Sequence, residues 1–166
     1  LELRTAIARV GLDFVRTLTI SFAVNQIRSA EALRGIEPQL HALWLRSVTV
    51  STHCFVIARR LARINADTAL LAGLLHGVGA LYIQTRAVTH PDLASNPQAY
   101  AAVEREWQGS IARALLEGWR VTGTIVEALG LLHRPERDTG GPAGLPEVLR
   151  AGVVLERALG APQDLE

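Results

Sequence analysis

At 166 residues with 49% apolar side chains, the chain is long and apolar enough to bury one substantial core, and a single domain over residues 1–166 is expected. Seventeen basic against sixteen acidic residues leave a formal net charge of +1, too weak a field to gather a polyanion, so bulk nucleic-acid binding is not indicated. The single cysteine, Cys54, excludes an intrachain disulfide and a cysteine-based zinc cluster and points to a reducing, cytoplasmic compartment.

Apolar residues recur at three- and four-residue spacing along nearly the whole chain, and strict alternation over a strand's length is absent, which makes the fold class all-α. The first segment carries Leu3, Ile7, Val10, Leu12, Val15, Leu18, Ile20 and Val24, a pattern for two helices bending near Gly11 and reaching about Ala30. Gly35 and Pro38 mark a turn. A long helix follows from about Pro38 to Ile64, with Leu43, Trp44, Val48, Ser51, Phe55, Ala58 and Leu61 on its core face. Arg59, Arg60 and Arg63 sit at its C-terminal end as a solvated cluster that complements the helix dipole.

Asn65 is the expected stop and Asp67 the cap of the next helix, which is apolar nearly all round through Leu70, Leu71, Leu74, Leu75, Val78 and Leu81. The stretch Ala69 to Ile83, about 15 residues, is short of the roughly 20 that a membrane span needs and reads as a buried core helix. Pro91 and Pro97 bracket a surface loop. A helix from about Gln98 to Trp119 comes next, then a break over Gly118 to Gly123 and a shorter helix from Ile125 to Leu132. The stretch Arg134 to Pro146 reads as a loop, and a last helix from about Glu147 to Leu159 stops at Gly160. Trp44, Trp107 and Trp119 are expected to be packing anchors, and Cys54 a small core residue.

Four stretches, in this order, carry a family resemblance: Ala6-Ile7-Ala8-Arg9-Val10-Gly11, Leu43-Trp44-Leu45-Arg46-Ser47, Ala72-Gly73-Leu74-Leu75-His76-Gly77-Val78-Gly79, and Leu115-Leu116-Glu117-Gly118-Trp119 leading to Glu127-Ala128-Leu129. The chain resembles the HDOD family, non-catalytic relatives of the HD and HD-GYP metal phosphohydrolases. The resemblance implies an HD-domain-like bundle of about six to eight helices, with a further helical part upstream. The absence of Met and the start at Leu1 fit a fragment lacking that part.

The resemblance also implies where a metal centre would stand. HD hydrolases hold their ion with a His on one helix, a His-Asp pair on the next, a later Asp and often further histidines. One or two donors cannot offset dehydrating the ion. Here the first His falls on Arg46, the pair is His76-Gly77, a downstream His position holds Gln108, a later His-His pair is Leu132-His133, and the late Asp falls on Gly152. The vestigial pocket is therefore expected around Arg46, His76, Gly77, Gln108 and His133, with no catalytic residue, no bound metal and no cofactor. The ordinary reading of His76 is a core histidine bonded to a nearby carbonyl, and that of Arg46 a paired or solvated cation, with phosphate binding as its alternative.

Three functions follow from this reading. The first is a signal-transduction output domain in a bacterial pathway, acting on an unidentified protein partner, with neither nucleic acid nor membrane as partner. The second is a nucleotide or other small-molecule sensor using the vestigial pocket, and the third a residual phosphohydrolase. The apolar stripe Leu3, Ile7, Val10, Val15, Leu18 and Ile20 is expected to be covered by a second copy, as a homodimer through the N-terminal helices.

Overall fold

A computed structural model describes residues 35–132 and 143–160. The N-terminal helices expected from the sequence, their apolar stripe, His133 and most of the loop expected after it fall on residues outside the described ones. Every regular element among the described residues is helical: α1 Glu37–Ile57, prolonged by a π-helical turn Ala58–Ala62; α2 Ala66–Leu75; α3 Val78–Ala87; a short α4 Pro91–Ala94; α5 Pro97–Gly118; α6 Gly123–Leu132; and α7 Leu145–Gly160. Helix α1 is central, packed along α2 on one side and α7 on another; α5 packs on α3, and α6 bridges α5 and α7. This is an all-α, HD-like bundle.

The buried stripe of α1 corrects the face expected from its large residues. Leu40, Ser47, Val50, Ser51, Cys54 and Ala58 are buried, whereas Val48 is 38% and Leu61 76% exposed. Small residues occupy the interior because two helices approach α1 closely. A Cβ added at Gly73 of α2 would lie 2.6 Å from the Ser51 Cα, and one at Gly152 of α7 2.6 Å from the Cys54 Sγ. Close helix contact brings more atoms within dispersion range and suits small side chains on both partners. Apart from Leu40 and Val50, the large residues of α1 consequently face outward or only partly inward.

The apolar run expected to be one helix is two, parted at His76-Gly77, with α3 starting on the amide of Leu81 bonded to the Gly77 carbonyl at 2.9 Å. By length and composition Ala66–Ala87 would suffice to cross a membrane, but half of its most apolar window is buried within the protein, as in a core helix. The cap of α2 is Asn65 rather than Asp67: its Oδ1 accepts from the Thr68 amide at 2.9 Å, and Asp67 sits in the first turn, where a negative charge favours the dipole. Asn96 caps α5 in the same way, accepting from Ala99 at 3.0 Å. Between Pro91 and Pro97 the expected loop contains the helical turn α4.

Two non-glycine residues end helices in the left-handed conformation, Arg63 and Arg120, both at φ 54°. After α5 the Arg120 amide returns to the Glu117 carbonyl and the Val121 amide to the Leu116 carbonyl, a Schellman closure with arginine where glycine is usual. Trp107 (51% exposed) and Trp119 (39%) are surface residues, so the expectation of tryptophan anchors fails for these two. The core is instead aliphatic, built on Leu75, Leu116, Ile125 and Leu149.

Candidate functional site

The break between α2 and α3 turns His76 and Gly77 toward α1 and α7, and a cavity of about 380 Å³ opens there. Arg46, His76, Gly77 and Gln108 all line it, contributed by α1, the α2–α3 turn and α5. The structure thus brings together four of the five expected pocket residues. Gly152 is not among the lining residues; it is the packing contact with Cys54 already described.

Arg46 is paired. Its Nε donates to Glu156 Oε2 of α7 at 2.9 Å, with side-chain exposures of 37% and 19%. Residues 46 and 156 are 110 positions apart, and nothing in a single sequence announces such a pairing. At His76 the Nδ1 is 2.6 Å from the Gly73 carbonyl. A carbonyl only accepts, so Nδ1 is the nitrogen that donates in this contact. Gly77 lies against the buried Ser47: a Cβ there would be 3.2 Å from the Ser47 hydroxyl, tight enough to require that hydroxyl to give way.

Sequence reading missed four polar lining residues: Ser47, Glu104, Arg150 and Arg157. Glu104 stands one helical turn before Gln108, and Arg157 two turns after Arg150, so helical spacing places each pair on one face. That they face this cavity depends on how α5 and α7 pack. Arg150 is held by its Nη2 donating to the Leu131 carbonyl at 2.9 Å.

The donor set does not fit a divalent ion of the HD type. His76 and Glu104 are the lining groups able to ligate one, against three guanidinium groups, and Glu156 is committed to Arg46. Among the described residues no three His, Cys, Asp or Glu side chains come together at ligating distance.

Fold and site together define an HD-related all-α domain. The family model of the HDOD domain matches residues 2–135, and the chain belongs to the HDOD family. A crystal structure from Shewanella amazonensis SB2B, described as a "Putative metal-dependent phosphohydrolase", is similar at a TM-score of 0.72 and 24% sequence identity. The match covers 98% of this chain and 59% of that one, so the chain spans about three-fifths of its neighbour's length. At that identity the likeness shows a common fold. No curated protein matches the sequence.

Proposed function

We propose that this chain is a non-catalytic signal-transduction domain of a bacterial cytoplasm, acting through contact with a protein partner. One observation carries the reading: Arg46, which the resemblance matches to the first metal-binding histidine, is a permanent cation tied to Glu156 at 2.9 Å. With Gly77 in place of the paired aspartate, neither a fixed ion nor an oriented water is available for hydrolysis. A fold kept without its chemistry is suited to recognition. Elemental analysis of the purified protein tests the loss of the metal centre, with about one Mn, Fe, Zn or Mg per chain as the contradicting result. Affinity capture, repeated with surface variants, addresses the partner.

The second reading, a small-molecule sensor, is favoured by the cavity itself, whose volume of about 380 Å³ falls within the range of ligand pockets, about 300–1,000 Å³.

A further inference from the structure

We propose that the outward face of α1 is the seam of a homodimer, in which a second copy of this chain lays its own α1 antiparallel across it, about a two-fold axis at Val48. The inference concerns assembly and stands apart from the function proposed above. The inner faces of α1 are occupied: Ser51 meets α2 at Gly73, and Cys54 meets α7 at Gly152. The opposite face carries apolar side chains that remain exposed, Leu45 at 52%, Val48 at 38% and Val56 at 51%. Leu45, Val48, Thr52 and Phe55 follow one another at three- and four-residue spacing, the repeat with which one helix lies along another.

The charges at the two ends of the face select a copy of the chain as the occupant. Glu37 begins α1 and Arg59 lies in the π-helical turn that prolongs it, each eleven residues from Val48. Eleven residues are three turns and about 16 Å of rise, so both charges share the face of Val48 and stand equally far from it. An antiparallel copy centred on Val48 therefore brings Glu37 to Arg59 of the partner subunit, twice over, and opposes the two helix dipoles. A parallel copy would set like charges against each other at both ends. Both side chains are exposed, and neither enters an ion pair among the described residues. Arg59 is directed back along the face by Phe55, whose ring centroid lies 6.0 Å from the guanidinium carbon. The face can also be dried without orphaning a polar group. Thr52 Oγ1 donates to the Val48 carbonyl at 2.9 Å and Thr49 Oγ1 to the Leu45 carbonyl at 3.0 Å, so both hydroxyls are satisfied within the helix.

Sedimentation equilibrium of the whole chain tests the proposal, and a dimer at about 100 µM is the expected result. Val48→Glu sets two carboxylates against each other at the axis and should leave a monomer with unchanged helical circular dichroism. Glu37→Arg and Arg59→Glu should each raise the dissociation constant about 10-fold. The double variant Glu37→Arg/Arg59→Glu restores the opposed pairs with their signs reversed and should recover the affinity of the wild type. Val48→Cys meets its own copy at the axis, so copper phenanthroline should oxidise the two thiols to an intermolecular disulfide, while exposed Trp107→Cys on α5 should stay uncross-linked. The native Cys54 is buried and does not compete. A monomer at about 100 µM would overturn the proposal. So would a dimer that both charge reversals leave unchanged, or one in which position 48 does not cross-link, since either result places the contact on another face.

Discussion

Cys54 lies at the crossing of α1 and α7 with no exposed surface, its Sγ 3.8 Å from the Val148 carbonyl. Burial pushes its thiol from 9.0 up to about 12, because the thiolate would lose its hydration there. The native state therefore holds its proton where an unfolded chain would release it. Stability from the neutral thiol is full below pH 9.0 and declines as pH rises toward about 12. Denaturant melts of the wild type and of Cys54→Ala should diverge in slope against pH between 9.0 and about 12. A thiol reagent at pH 8 should label the chain only as it unfolds, and rapid labelling of the folded protein would contradict the burial. The same sulfur explains Gly152. In an open helix interior Gly→Ala stabilises by about 0.5–1 kcal/mol, but here the added methyl meets Sγ at 2.6 Å. Gly152→Ala should cost about 1–3 kcal/mol. Combined with Cys54→Ala it should cost less than the sum of the singles by about 1 kcal/mol or more, and additive costs would show that the helices do not meet as described.

Among the elements, periodicity was legible and facing was not. The three- and four-residue spacing locates most of the helices within a few residues, as with α5 at Pro97–Gly118 against an expected start near Gln98. The face of α1 was read only in part: Ser51, Cys54 and Ala58 are buried as expected, but a hydropathy reading also selects large apolar residues such as Val48 and Leu61, which are exposed, and passes over Leu40, Ser47 and Val50. The break at His76-Gly77 was hidden inside an apolar run whose composition does not change across it. The π-helical turn at Ala58–Ala62 has no such signature either; it is visible in the Arg63 amide, five residues on, reaching the Ala58 carbonyl. Gly79 of α3 is the tightest of the helix contacts, since an added Cβ would overlap the Gln108 carbonyl of α5. Gly79→Ala should therefore destabilise by about 3 kcal/mol, measured by urea unfolding, and should displace Gln108 from the cavity wall. A neutral result would mean that α3 and α5 stand further apart. Asn65→Ala should remove the α2 cap at a cost of about 1 kcal/mol.

For the molecule as a whole, the family and fold could be read from four ordered stretches, and so could Arg46, His76, Gly77 and Gln108 of the pocket's lining, because they fall on helix turns that the fold brings together. The electrostatics could not be read. Glu156 and Arg157 lie one turn and more beyond Gly152, the position of α7 matched to a metal ligand, and the pairing of Glu156 with Arg46 follows from the packing of α7 on α1. That pairing holds a permanent cation where the resemblance puts the first metal-binding histidine, and the proposed absence of hydrolytic chemistry is the central claim built on it. Its most direct test is turnover. Purified chain supplied in turn with Mn²⁺, Fe²⁺, Zn²⁺ and Mg²⁺ is assayed against phosphomonoesters and cyclic dinucleotides. The account predicts no hydrolysis above the protein-free background with any ion. Metal-dependent turnover that disappears in His76→Ala would contradict it.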